Sequence, residues 1–325
     1  MKHVVWMCLV FALACSSNSS SGGDDGGADG DSDTDTDADA DTDTDTDTDT
    51  DADGDGGTTP NTCVGGGLTP GHYQRTIAFD GRNRNYHLHV PAGYDDTVAM
   101  PVVFDLHPVM TNAGIMDQMT RFRAKGEKEG FIVVQPNGVG GSWNGGPLCC
   151  GEAAAQNLDD VGLVRAIRDE IAKELCVDMK RVYADGMSNG GYLSHKIACE
   201  DSDLVAAIGP VVSSIGYNNV DECMPSRPMP VLIISGGTDS LSSREETFAK
   251  WRELNDCNDS FVEEQFGVFT CTNYNECEGG VETIHCVGAG VGHCWPGTSF
   301  AIYPCNKDLD ATAYIWDFFT KWEIP

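Results

Sequence analysis

Five short runs rich in β-branched residues recur along this chain, each separated from the next by enough residues for a helix. They are Met100–Leu106, Phe131–Gln135, Arg181–Asp185, Val205–Val212 and Val231–Ser235. Apolar at consecutive positions, they suit strands covered on both faces. The intervening segments carry helical spacing. Between Asp160 and Leu175, Val161, Val164, Ile167, Ile171 and Leu175 fall near one face, with Asp159 or Asp160 available as N-cap. Gly190 to Cys199, Arg244 to Leu254 and Ala311 to Trp322 read the same way. Such alternation implies a largely parallel sheet with right-handed crossovers. Gln74–Phe79 and Asn85–Val90 instead alternate polar and apolar residues and are expected as an antiparallel edge pair. The predicted fold class is α/β, three layers around a mostly parallel central sheet.

One motif in this frame carries chemistry. Gly186-Met187-Ser188-Asn189-Gly190-Gly191 fits G-x-S-x-G and stands between a buried run and a helix. A serine on so tight a turn needs glycines beside it, because flanking side chains would strike the neighbouring strand and helix. The turn presents the Ser188 hydroxyl to solvent and aims the Asn189 N–H at a forming oxyanion. A serine hydroxyl is a weak nucleophile at neutral pH, so Ser188 needs a base, and the base an orienting acid. Where this turn occurs, the chain order is serine, acid, histidine. His293, after the glycine-rich stretch Gly288-Ala289-Gly290-Val291-Gly292, is the candidate base. His285 lies within the apparent strand Val281–Val287 and His195 one turn into the following helix, so both suit structural roles better. Asp239 directly follows the VLIISGGT run and is the candidate acid; Asp221 and Asp256 follow no buried strand.

The first 62 residues read as address and tether. Lys2 and His3 precede an apolar run of 11 residues, Val4 to Ala14. That is shorter than the roughly 20 residues a membrane-spanning helix needs, and 1–14 is expected to be an export signal. Ala12-Leu13-Ala14 fits ordinary secretion. Phe11-Ala12-Leu13-Ala14-Cys15 resembles a bacterial lipoprotein signal, with Cys15 as lipid anchor and Ser16 suggesting the outer membrane. The Ser/Gly/Asp segment after Cys15 suits a tether and favours the lipoprotein. From Ser16 to Thr62 no apolar residue exceeds alanine except Pro60, so 15–62 is expected to be a disordered spacer. Asp51-x-Asp53-x-Asp55-Gly56 opens like an EF-hand loop, but its twelfth position is Thr62, not Glu.

Of the formal charge of −31, the 16 aspartates between Asp24 and Asp55 supply about half. The rest, from Cys63 onward, is acidic too. Nucleic acid and anionic lipid are therefore excluded as electrostatic partners, and the membrane is expected to be met only through the N-terminal anchor. Setting aside Cys8 and Cys15 leaves 12 of the 14 cysteines, an even number, in 63–325. They show no pair of zinc-type CxxC knuckles, and in an exported chain they read as disulfides. Adjacent Cys149 and Cys150 are not expected to pair with each other; each would pin the same loop to a different place.

SWNGGPLCCGEAAAQNLDDVGLVRAI, RVYADGMSNGGYLSHKIACE, VLIISGGTD and GHCWPG, taken together, resemble the polyhydroxybutyrate depolymerase/feruloyl esterase group of α/β-hydrolases, close to carbohydrate esterase family 1. The resemblance runs from about Ile77 to the C-terminus. It implies a catalytic domain over 63–325, with Ser188, Asp239 and His293 as nucleophile, acid and base and no metal or organic cofactor. It also matches Trp143-Asn144 and Cys149-Cys150-Gly151 to a loop beside the site, and Trp295 to the tryptophan after the histidine. Trp143, Asn144 and Trp295 are thereby expected to contact substrate. One departure stands out. The family carries His-Gly after its third strand, where the following residue donates the second oxyanion N–H; here the residues are His107-Pro108-Val109. Proline has no N–H, so Val109 is the expected donor. The function implied is an exported serine carboxylesterase acting on an ester-bearing polymer or oligomer, with feruloyl or acetyl esters of plant wall polysaccharide first. A polyester depolymerase is the alternative, and a non-catalytic surface binding lipoprotein on the same fold a further one.

Overall fold

The structure, a computed structural model of the chain, describes residues 63, 67–301 and 304–325. The export signal, Cys15 and the acidic tether lie outside the described residues. In chain order the strands are β1 (Gly71–Phe79), β2 (Arg82–Val90), β3 (Met100–Leu106), β4 (Ile132–Pro136), β5 (Val177–Met187), β6 (Ala207–Val211), β7 (Val231–Gly236), β8 (Val262–Phe266), β9 (Phe269–Tyr274) and β10 (Thr283–Gly288). The helices are α1 (Ala113–Thr120), α2 (Phe122–Glu129), α3 (Glu152–Ala155), α4 (Asp160–Ile171), α5 (Asn189–Glu200), α6 (Arg244–Leu254) and α7 (Ala311–Phe319).

All the strands join one sheet in the order β1-β2-β4-β3-β5-β6-β7-β10-β9-β8. The stretch from β4 to β10 is parallel throughout, and the outer pairs on both sides are antiparallel. The five runs picked out by composition are the centre of this sheet, and β3, β4, β6 and β7 are buried along their whole length. On one face α4, α5 and α6 contribute Val164, Ile167, Leu193, Ile197 and Trp251 to the core. On the other, α1, α2 and α7 contribute Met116, Met119, Phe122, Ile315 and Phe319. The chain is thus a three-layer α/β-hydrolase fold.

The differences from expectation have local causes. Helix α4 is capped by Asp159, whose side chain accepts from the Gly162 N–H, but it stops at Ile171. The chain then turns, with Glu174 paired to Arg75 at 2.6 Å, and delivers Cys176 to Cys63. Helix α2 (FRAKGEKE) buries little besides Phe122 and Gly126, so it has no apolar stripe to find. Strand β8 (VEEQF) is exposed almost throughout and is held by pairing with β9 and by Tyr314 of α7, which meets Glu264 and Phe266.

Cysteine sulfurs stand at bonding distance in six pairs: 63–176, 149–150, 199–223, 257–277, 271–286 and 294–305. The expectation for Cys149 and Cys150 is corrected: they pair with each other. Their loop needs no sulfur link elsewhere, because hydrogen bonds fasten it. Leu148 N–H donates to Gly216 O at 3.0 Å, and Ala153 N–H to Ser142 Oγ at 3.1 Å.

Directly beneath the serine turn lies a pair of buried acids. Asp105 on β3 is opposite Asp185 on β5, and both are fully buried. Asp105 Oδ2 accepts from Thr120 Oγ1 at 2.8 Å and Gln135 Nε2 at 2.6 Å. Burial raises the Asp105 carboxyl to about 6, against the pull of these donors. Burial, then the neighbouring Asp105, pushes Asp185 well above the ordinary carboxyl range. Two touching carboxylates in a low-dielectric interior cannot both ionise, so Asp185 keeps the proton. A folded-state pKa raised above the unfolded value of about 4 means that the fold holds protons the unfolded chain has released. This contribution to stability is greatest below that value and is lost as pH rises through 6 and beyond. Asp185→Asn keeps the shape and a donor without the proton. Thermal melts at pH 5 and pH 8 are expected to show a gain for the variant over wild type at pH 8 that shrinks at pH 5; a gain independent of pH would contradict the assignment.

Candidate active site

Strand β5 ends at Met187 and α5 begins at Asn189, so Ser188 alone makes the turn between them. Its backbone is at φ 53°, ψ −120°, a conformation that costs a non-glycine residue on the order of 1–3 kcal/mol. Two glycines make the turn possible. A Cβ on Gly186 would lie 2.5 Å from the Gly190 carbonyl carbon, and one on Gly190 would lie 2.0 Å from Leu106 O and 2.8 Å from His107 O. The strain is held by the Ser188 N–H, which donates to Val211 O at 2.9 Å.

The acid and base come from neighbouring strand ends. Strand register aligns Leu106 with Gly186, Met187 with Val211 and Gly236 with Gly288, so the exits of β3, β5, β6, β7 and β10 share one edge. Asp239 follows β7 and His293 follows β10 on that edge. His293 Nδ1 donates to Asp239 Oδ2 at 3.0 Å. The other carboxylate oxygen accepts from the Leu241 N–H at 3.0 Å, and Ser242 Oγ adds a contact to Oδ2 at 3.3 Å. Burial opposes ionisation of Asp239, but the hydrogen bonds from His293, Leu241 and Ser242 outweigh it and hold the carboxyl below its ordinary value. Arg244 braces the same loop by donating to Asp239 O at 2.9 Å and Gly237 O at 3.4 Å. With Nδ1–H committed to a carboxylate, Nε2 is the basic nitrogen of His293.

The rival residues lie elsewhere. His285 is buried against Ser235 Oγ at 3.0 Å, and burial lowers it to about 4. His195 accepts from Trp251 Nε1 at 3.0 Å, and burial lowers it to about 3. Asp221 pairs with Lys250 at 2.8 Å, and Asp256 follows α6.

At the site, the N–H of Val109, in the loop after β3, and that of Asn189, the first residue of α5, are among the backbone donors with no protein acceptor among the described residues. A helix start leaves such donors by construction. Pro108 does not disorganise the loop. Its carbonyl accepts from Thr111 Oγ1 at 2.6 Å and from His107 Nδ1 at 2.9 Å, while His107 Nε2 accepts from the Gly138 N–H at 2.9 Å. Burial lowers His107 to about 4, so the imidazole is neutral with its proton on Nδ1. Met110 N–H is taken by Gly141 O at 2.8 Å.

The three expected substrate contacts are corrected. Trp143 is fully buried, its Nε1 donating to His107 O at 2.9 Å. Trp295 is buried too, with Nε1 on Thr312 Oγ1 at 3.1 Å. Asn144 Nδ2 donates to Leu158 O at 2.8 Å, and its N–H to Asp160 Oδ2 at 2.7 Å. Asp160 in turn is buried against Arg84 at 2.7 Å. Each polar group that was expected to reach outward is spent inside the protein. What sequence reasoning missed is the bracing of Asp239 by Ser242 and Arg244, for which the chain offers no spacing signal. Among the described residues no cluster of His, Cys, Asp and Glu is arranged to hold a metal, and no helix is long and apolar enough to cross a membrane.

Known proteins resemble the chain in sequence and in fold. The sequence pattern of the prolyl oligopeptidase family matches residues 118–222, a segment that includes Ser188 but neither Asp239 nor His293. Feruloyl esterase B of Piromyces equi is 30% identical over 227 residues, which are 62% of this chain and 41% of that protein. The chain thus spans less than half the length of that curated relative. The acetyl xylan esterase structure from Aspergillus awamori superposes with a TM-score of 0.55 at 18% identity, covering 69% of this chain and 94% of that one. A carbohydrate esterase family 1 ferulic acid esterase from Anaeromyces mucronatus, solved with ferulic acid, gives 0.51 at 18% identity over 82% of this chain and 95% of that one. At this identity the structures speak for the fold.

Replacing Asp239 by Asn leaves the shape of the acid but offers His293 an amide in place of a carboxylate, which no longer fixes Nδ1 as the protonated nitrogen. If His293 is the base, hydrolysis of an activated ester is expected to fall about 10⁴-fold in kcat, as in a comparable triad. Steady-state kinetics of Asp239→Asn check this, and a loss under ten-fold would remove Asp239 from the role.

Proposed function

We propose that this feruloyl esterase-like α/β-hydrolase is an exported serine carboxylesterase, with residues 63–325 as its catalytic domain and feruloyl or acetyl esters of plant wall polysaccharide as its substrates. The observation that carries the reading is the Asp239–His293 pair on the sheet edge that bears the strained Ser188 turn, with the Val109 and Asn189 amides uncommitted beside it. In the proposed reaction, His293 Nε2 takes the Ser188 proton as Oγ attacks the ester carbonyl. Asp239 stabilises the imidazolium that forms. The Val109 and Asn189 N–H groups receive the oxyanion, where the gain is large because the donors are already in place. The alcohol departs with the proton from His293, and water activated by the same nitrogen releases the acid.

The named relatives support the substrate class, since feruloyl and acetyl xylan esterases recur among them. The acidic balance of 63–325 disfavours strongly anionic polymers by repulsion, and neutral esters are compatible with it. The six cysteine pairs support an oxidising compartment, in line with export.

A fluorophosphonate probe is expected to label wild type and not Ser188→Ala, whose kcat should fall about 10⁶-fold. A wild type that stays unlabelled yet binds glycan would establish the binding lipoprotein instead. Rates on methyl ferulate, acetylated xylan and polyhydroxybutyrate divide the substrate classes, and turnover of the polyester alone would reverse the preference for wall esters. For the anchor, radiolabelled palmitate is expected to enter the wild type and not Cys15→Ser; label that survives the substitution would refute Cys15 as the lipidated residue.

A further inference from the structure

Trp143 touches both loops that carry the uncommitted amides. Its indole Nε1 donates to His107 O at 2.9 Å, two residues before Val109. Its backbone N–H donates to Asn189 Oδ1 at 2.7 Å, and its carbonyl accepts from Asn189 Nδ2 at 2.9 Å. The Asn189 side chain is therefore clamped in both directions by the N–H and C=O of one residue, and Asn189 Nδ2 also reaches Cys149 Sγ at 3.6 Å. The indole lies against the His107 ring with centroids 4.8 Å apart, and both residues are fully buried. Such a residue has no surface for substrate, yet its hydrogen bonds tie the backbone of the β3 loop, at His107 O, to the side-chain amide of Asn189, whose own backbone N–H is the second proposed donor.

We propose that Trp143 is a positioning residue, a rigid strut that fixes the spacing between the Val109 and Asn189 N–H groups. The inference rests on the esterase reading above and deepens it. An indole has two side-chain torsions, both locked here by burial, so the distance from the His107 carbonyl to the Asn189 side-chain amide is set by the covalent skeleton of one residue, and the clamped side chain in turn holds the first residue of α5. The far side of the β3 loop is fastened by Thr111 Oγ1 and His107 Nδ1 on Pro108 O. Val109 itself lies over the paired-cysteine segment: a Cβ on Gly151 would stand 3.5 Å from Val109 Cγ2. Held at both ends, the loop can present the Val109 N–H without a glycine before it. The strut thus accounts for how His107-Pro108 serves where His-Gly is expected.

Trp143→Phe keeps an aromatic ring at the site but deletes the bond to His107 O and part of the buried indole volume. Loss of a whole oxyanion donor costs about 10²–10³ in kcat, and a loosened donor should cost less. The expected result is a fall of about ten-fold in kcat on methyl ferulate with KM unchanged. A trifluoromethyl ketone, which forms a tetrahedral adduct with serine, should bind Trp143→Phe weaker by the same factor, while ferulate binding is unchanged. A merely structural role would not make kcat and adduct affinity fall together. An unchanged kcat, or a loss not mirrored in ketone affinity, overturns the proposal. If Trp143→Phe does not fold, Thr111→Val releases the same loop at Pro108 O; parallel losses there support the clasp, and wild-type values overturn it. Failure of the esterase reading has its own signature, a Ser188→Ala protein as active as wild type.

Discussion

The exit of β3 and the start of α5 meet at Gly190, where there is no room for even one more carbon between the helix and the Leu106 and His107 carbonyls. That close approach brings a loop from one strand and the first turn of a helix from the next into a single surface. Ser188 is strained because the chain must leave β5 and enter α5 without lifting the helix away from β3. The strain is held locally by the Val211 carbonyl and, at a distance, by the packing of α5 on the sheet. Alanine at Gly190 would drive its Cβ into the Leu106 and His107 carbonyls and force the helix and strand apart.

Around that contact the protein spends buried polar groups on fixing backbone. His107, Trp143, Asn144, Asn189 and Asp160 have few atoms free for a ligand; each holds a carbonyl or an amide of a site loop. Polar groups so deep are tolerable because they are paired, and once paired they leave one arrangement of the loop far below any other. Asp239 has the same character, with its carboxylate filled by His293, Leu241 and Ser242 and its carbonyl held by Arg244. Asp105 and Asp185 are the exception. The buried acid at Asp185 is a cost carried just beneath the Ser188 turn, and the structure gives no catalytic account of it.

The legible parts of the fold were those with a strong one-dimensional signal. Strands β3 and β7 follow the apolar pattern almost residue for residue, because burial on two faces writes itself into consecutive positions, and α4 shows its buried stripe in Val161, Val164, Ile167 and Ile171. Helix α2 and strand β8 escaped because most of their side chains face water and their stability comes from neighbours. At the site, Ser188 announces itself through the glycines its turn requires. Asp239 and His293 follow from their places after strands, and the hydrogen bond between them agrees with that order. Trp143, Asn144 and Trp295 were misassigned as substrate contacts because spacing along a chain does not reveal whether an indole or an amide points outward. Cys149 and Cys150 were misassigned because hydrogen bonds, invisible in sequence, already do the pinning.

The amino-acid sequence by itself therefore determined the alternation of strands and helices, the parallel sheet, the serine turn and the places of Asp239 and His293 after their strands. These depend on local periodicity and on the few residues that tolerate a tight turn. Only the tertiary structure decided which polar side chains serve the backbone and which remain free, which cysteines meet, and how the loop around Pro108 is fastened. Those outcomes depend on atoms brought within 3 Å of each other from strands far apart in the chain, and no pattern along one dimension encodes that distance.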